Sequence, residues 1–227
     1  MDIELISITL ILASEFISLV SRWYINHTYK KYANVYCENG VSGEEAARRI
    51  LNNNGLQDVA VKPTKGFLTD HYKPADKTVN LSEKIYTEKS IASVAVAAHE
   101  CGHAIQDKNG YFFLRARHAM TPVVNIASYA GYFSIVIGAF ANIFNLILLG
   151  IAFEIIIFLF QVVTLPVEFN ASNRGLAQIK TLGLLGDKEY KYGRKVLIAA
   201  ALTYVAAATT ALMQVIRLLL IFVRRDD

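Results

Sequence analysis

The chain has 227 residues, of which 54% are hydrophobic and 19% charged, and its mean hydropathy is +0.34. A soluble domain carries about 25% charged residues, so this composition excludes intrinsic disorder, and two cysteines in so long a chain exclude a small disulfide scaffold. The excess of 23 Lys+Arg over 19 Asp+Glu gives +4; in so apolar a chain it points to membrane topology, and no nucleic-acid partner is expected.

Residues 3–21 form the first stretch long and apolar enough to cross a bilayer, for which about 17–25 residues suffice. Its leading residues, Met1-Asp2-Ile3-Glu4, are acidic, unlike a signal peptide, and predict a retained anchor. A polar segment follows. Ser42-Gly43-Glu44-Glu45 is a capping-box pattern that opens a helix through Ile50 and Leu51, ended by Asn54-Gly55. Residues 59–61, 66–72 and 78–81 read as short strands, with Lys73-Pro74-Ala75-Asp76-Lys77 as the turn between the last two. The strand at 78–81 is the candidate edge along which an extended peptide pairs. An Ala-rich helix is expected from Ser90 to about Gln106.

Three more apolar stretches follow, at residues 119–139, 143–167 and 196–223. All four stretches together hold only the charges Glu4, Glu15, Glu154 and Arg217. Lys and Arg flank them unevenly. Arg22, Lys30, Lys31, Lys108, Arg115 and Arg117 lie between the first and second stretches, and Arg174, Lys180, Lys188, Lys191, Arg194 and Lys195 between the third and fourth. The turn around Asn142 carries no charge, and the tail Arg224-Arg225-Asp226-Asp227 balances itself. The positive-inside rule then places residues 22–117 and 168–195 on the cytoplasmic side, with both termini outside. Intramembrane Glu154 and Arg217 are a candidate pair across the bundle and keep a small transporter open as a rival class.

The Ala-rich helix contains His99-Glu100-Cys101-Gly102-His103, an H-E-x-x-H motif. At 3.6 residues per turn, positions i and i+4 share a helical face, so both imidazoles can reach one tetrahedral ion. Glu100 lies about 100° round the helix, placed to hold water beside the metal rather than to ligate it. Ala95-Val96-Ala97-Ala98 is expected to pack on the sheet, and small Gly102 to admit another element to the ligand face. Cys101 points away from that face. A catalytic zinc needs a third protein ligand. Glu4 falls on the wrong side of the membrane and Glu15 and Glu154 within it, which leaves Glu168, just past the third stretch, as the best candidate.

Three segments carry a family resemblance: Leu68-Thr69-Asp70-His71-Tyr72, Ala97-Ala98-His99-Glu100-Cys101-Gly102-His103-Ala104-Ile105-Gln106, and Leu165-Pro166-Val167-Glu168-Phe169-Asn170-Ala171-Ser172. They resemble the membrane zinc metallopeptidases of the YugP type over nearly the whole chain, and more distantly the HtpX and CAAX prenyl protease group. The resemblance implies that His99, His103 and Glu168 bind one zinc ion and that Glu100 is the catalytic acid/base. In the distant group an aspartate usually stands four residues after the ligand glutamate; here that position is Ser172, and Asn170 or Asp70 is the candidate substitute for orienting a histidine. Candidates for steadying the charge on the carbonyl oxygen are Arg174 and His71, then His118 and Tyr129.

The expected architecture is a membrane α-helical bundle of about four transmembrane helices with a cytoplasmic α/β zincin-like metallopeptidase head. Its parts are an anchor (1–21), a cytoplasmic α/β region with the H-E-x-x-H helix (22–118), a transmembrane hairpin (119–167), a cytoplasmic helix with the third ligand (168–195) and a last transmembrane helix with its tail (196–227). The expected activity is hydrolysis of peptide bonds near the cytoplasmic surface of the cell membrane, on membrane-associated or unfolded polypeptides. A zinc-binding but inactive scaffold is the alternative.

Overall fold

The computed structural model describes residues 3–224. The Met1-Asp2 half of the acidic leader and the tail residues Arg225-Asp226-Asp227 lie outside the described residues. The elements run α1 (Ile3–Ala33), α2 (Gly43–Asn53), β1 (Ala60–Thr64), β2 (His71–Lys73), a single 3₁₀ turn (Pro74–Asp76), β3 (Thr78–Ser82), α3 (Glu83–Thr87), α4 (Ile91–Lys108), α5 (Phe112–Ala141), α6 (Phe144–Thr181) and α7 (Asp187–Arg224). The protein is mostly helical, and α1, α5, α6 and α7 are long and apolar enough to cross a membrane. All four continue beyond the apolar stretches that announce them, because a helix satisfies its own backbone whether lipid or protein surrounds it.

The described chain divides into two compact units. One takes in the chain up to Arg22, Arg115–Leu165 and the chain from Thr203 onward. In it, α5 and α6 form a hairpin around Asn142, which adopts a left-handed conformation (φ 56°). Glycines line the hairpin seam: a Cβ added at Gly150 would lie 2.4 Å from Ile135, and one at Gly138 2.8 Å from Ile147. Small residues of this kind let membrane helices approach closely, where dispersion is the main attraction left between them.

The other unit, Trp23–Leu114 with Pro166–Leu202, is built around a core that includes Tyr29, Ile50, Leu51, Val79, Leu81, Ile85, Ile91, Ala98 and Ile179. The Ser42 capping box forms as its sequence predicts: Ser42 Oγ accepts from the Glu45 N–H, and the Glu45 carboxylate accepts from the Ser42 N–H. The sheet has the order β1-β3-β2, with β1 parallel and β2 antiparallel to β3. The 78–81 strand is therefore the centre of the sheet and not an edge, and both of its outer faces are covered. Its β-favouring or apolar residues Thr78, Val79 and Leu81 are all buried, while Pro63 sits on edge strand β1, where its missing N–H breaks no ladder.

The strand expected at 66–72 shrinks to His71–Lys73. Gly66 (φ 111°) and Leu68 (φ 55°) bend the preceding residues out of extended geometry, and Thr69 Oγ1 donates to the Lys65 carbonyl within that loop. In the Ala95–Ala98 run, the Ala95 methyl faces Gly193 of α7 and the Ala98 backbone carbonyl faces Gly175 of α6. Between α6 and α7, Glu189 accepts from the Gly186 and Glu38 N–H groups, pinning the α7 start to the loop after α1.

Candidate metal centre

Helix α4 supplies the first two donors. Ser90 caps its start, accepting from the Ser93 N–H, and the helix runs unbroken through His99 and His103. Their rings meet edge to face at 4.7 Å, and the two Nε2 atoms lie 3.2 Å apart. Helix α6 brings the third. Glu168 Oε2 lies 3.2 Å from His99 Nε2 and 3.7 Å from His103 Nε2, with the Glu168 side chain 2% exposed. These three residues are separated by up to 69 positions in sequence, yet their donor atoms converge as a group able to hold a metal ion.

The close approach of the two helices follows from two glycines. A Cβ at Gly102 would lie 2.3 Å from the Ala171 carbonyl oxygen, and one at Gly175 2.6 Å from the Ala98 carbonyl oxygen. Each helix therefore presents a glycine to the other's backbone. Gly102 is the small residue expected to admit another element, and that element is α6. With Ala171, Ser172 and Gly175 placed 3, 4 and 7 residues after Glu168, a single face of α6 carries both the contact and Glu168.

Hydrogen bonds orient both imidazoles from behind. His99 Nδ1 lies 3.1 Å from Ser172 Oγ. Ser172 thus occupies the place where the distant group carries aspartate, and it meets a histidine itself. His103 Nδ1 lies 3.0 Å from Gln106 Oε1. The Gln106 amide nitrogen donates to the Val167 carbonyl (2.8 Å) and to Asn170 Oδ1 (3.0 Å), and Arg174 Nε donates to the same Asn170 oxygen (2.7 Å). Gln106 is fully buried, and the one sign of its role in the sequence is its place three residues after His103 on the same helix.

Glu100 is buried beside this group. Burial pushes its carboxyl up to about 7; His103 opposes the rise, Glu168 and Asp70 add to it, and a backbone hydrogen bond from Tyr72 opposes it again. Such a value suits a group that must both take up and release a proton near neutrality. Asp70 orients neither histidine. Its carboxylate accepts from the N–H (2.6 Å) and hydroxyl (3.2 Å) of Ser82, tying the 66–70 loop to the end of β3. Asn170 does reach the histidine network, through Gln106. His71 is exposed on edge strand β2, where its Nδ1 donates to the Thr69 carbonyl. His118 and Tyr129 are exposed and belong to the other unit. Cys101 is fully buried against the Ala47 carbonyl of α2, away from the two histidines, and burial pushes its thiol well up.

The donor set fits zinc. A tetrahedral zinc with bonds of about 2.0–2.2 Å to nitrogen and oxygen holds its ligand atoms about 3.3–3.6 Å apart. The observed separations of 3.2, 3.2 and 3.7 Å straddle that range. Two imidazoles and a carboxylate are also a recognised catalytic set that leaves the fourth position open.

The comparisons with known proteins agree with this geometry. The family described as "Putative neutral zinc metallopeptidase" matches residues 7–223. A curated relative, the "Putative membrane protease YugP" of Bacillus subtilis (strain 168), is 43% identical over 220 residues, covering 97% of this chain and 98% of its own length. No solved structure matches the chain. A family match over almost every residue, and a relative aligned end to end, together show that this chain belongs to the "Putative neutral zinc metallopeptidase" family.

Proposed function

We propose that the protein is a membrane-embedded endopeptidase that holds one zinc ion on His99, His103 and Glu168 and hydrolyses peptide bonds with Glu100 as its general base. The observation that carries this reading is the triangle of three donor atoms 3.2–3.7 Å apart, with a buried carboxyl beside it. Zinc bound there supplies Lewis acidity toward a scissile carbonyl and lowers the pKa of water from 15.7 toward about 7. The chain's own residues do the rest. A neutral His103 keeps its proton on Nδ1, facing Gln106 Oε1, and presents its lone pair at Nε2. Glu100 takes up a proton at its carboxylate and passes it to the departing amine nitrogen. For the charge that develops on the carbonyl oxygen, Arg174 is the stronger candidate: its guanidinium always donates, whereas His71, with Nδ1 given to Thr69, donates through Nε2 only as an imidazolium.

Glu168 lies one residue beyond the apolar run that ends at Val167, on the same continuous helix, and each helical residue rises only about 1.5 Å. Tyr111, Phe112 and Phe113 pack on one another ahead of the second apolar stretch, and Tyr111 donates to the Pro166 carbonyl. Aromatic residues so placed suit a membrane–water interface. We therefore assign the site to the membrane surface and, by the Lys/Arg bias, to the cytoplasmic side of the cell membrane. The parts follow the sequence division: membrane segments at 1–21, 119–167 and 196–227, and a zincin-like head from 22–118 with 168–195. Polypeptides that are membrane-associated or unfolded are the substrates such a site can reach.

The test is paired. Purified protein should contain stoichiometric zinc, and Glu100→Gln should keep the zinc while losing cleavage of a membrane-protein substrate by about 10²–10⁴-fold. Zinc without cleavage in either form would leave an inactive scaffold, and absence of bound zinc sinks both readings.

A further inference from the structure

Gln106 is fully buried, and every polar atom of its amide is engaged. Its nitrogen meets the Val167 carbonyl oxygen and Asn170 Oδ1. A backbone carbonyl only accepts, so the atom facing Val167 must be the amide NH₂, which settles the amide orientation. The opposite atom, facing His103 Nδ1 at 3.0 Å, is then an oxygen that can only accept, so His103 Nδ1 must carry its proton. In the neutral ring the lone pair then sits on Nε2, the atom that faces His99 and Glu168. Asn170 is oriented by the same logic, since its Oδ1 accepts from both Gln106 and Arg174 Nε.

Gln106 also lies between the two elements that supply the ligands. Its bonds run from α4 to Val167 and Asn170, one residue before and two after Glu168 on α6. One amide thus fixes the tautomer of one ligand and the axial register of the helix that carries another.

We propose that Gln106 is the positioning residue of the metal centre: it sets the His103 tautomer and ties His103 to the Glu168 segment, with Asn170 and Arg174 as its outer anchor. The proposal rests on the zinc reading above and deepens it. Its energetic weight comes from burial, because an amide oxygen in a dry interior polarises its donor strongly, and an unpaired partner there is costly.

The experiment measures zinc affinity by chelator competition, and thermal stability in parallel, on the full chain in detergent. Gln106→Met removes the acceptor and should weaken zinc binding about 10–100-fold. Gln106→Glu restores an acceptor for His103 Nδ1 but loses both donations to α6, so it should bind zinc more tightly than Gln106→Met even though it melts no higher. Asn170→Ala, which leaves Gln106 in place, should weaken binding by less than tenfold. If affinity simply follows melting temperature across the three variants, Gln106 is a packing residue and the proposal falls. Wild-type affinity in Gln106→Met also overturns it. Failure of the unaltered protein to bind zinc would overturn the site reading instead, so the two failures are distinguishable.

Discussion

Helices are brought into backbone contact by glycine in both units, to different ends. In the α5–α6 hairpin, Cβ atoms added at Gly138 and Gly150 would first meet side-chain carbons of Ile147 and Ile135, with backbone atoms next at 3.0 and 3.2 Å. In the α4–α6 crossing, Gly102 and Gly175 meet backbone carbonyls, and the neighbouring positions carry His99, His103, Glu168 and Ser172. The first contact gains dispersion, and its nearest obstacles are side chains. The second sets distances between donor atoms, where a few tenths of an ångström decide whether an ion is held.

That contrast predicts which glycine is functional. Gly102→Ala forces α4 and α6 apart against rigid backbone and should lower both zinc affinity and cleavage by more than about 100-fold, since displacements near 1 Å at a reacting centre cost that much. Retention of wild-type affinity in this variant would break the comparison.

Next in size is the pH response. Glu100 works as a base only when unprotonated, and burial places its carboxyl at about 7. A cation nearby favours the carboxylate, so the acid limb of the pH–rate profile should have its midpoint at or below 7, with activity falling about tenfold per unit beneath it. Activity that falls as pH rises through 7 would argue against a carboxylate base.

Ser172→Ala removes the hydroxyl 3.1 Å from His99 Nδ1 and should weaken zinc binding about tenfold, with Ser172→Asp restoring it. The smallest effect on the site belongs to Gly150→Ala. Calorimetry should show a loss of about 1–3 kcal/mol from crowding Ile135, with zinc affinity unchanged. A parallel loss of affinity would mean that the hairpin seam also governs the site.

Much of this protein is legible from local pattern. The Ser42 capping box needs only four consecutive residues, and the capped helix formed as read. The four long helices follow from uninterrupted apolar runs, because a bilayer demands length and hydrophobicity and little else. Strand order was harder. The 78–81 segment has the same β-forming character whether it lies at an edge or in the centre, and only pairing with β1 and β2 on its two sides settles the matter. The loop at 66–70 departs from the expected strand because Gly66 and Leu68 both take positive φ, and at Leu68 that conformation has little local signal.

The metal centre divides along the same line. The i, i+4 spacing of His99 and His103 is a consequence of helical geometry alone, so the sequence by itself determined that two imidazoles share a face with Glu100 beside them. Which residues hold those imidazoles still was decided by tertiary structure. Ser172 and the Gln106–Asn170–Arg174 chain reach the histidines only because Gly102 and Gly175 let two helices, distant in sequence, lie backbone to backbone. Hydrogen bonds between remote segments leave no periodicity to read; they exist only once packing has placed donor and acceptor about 3 Å apart.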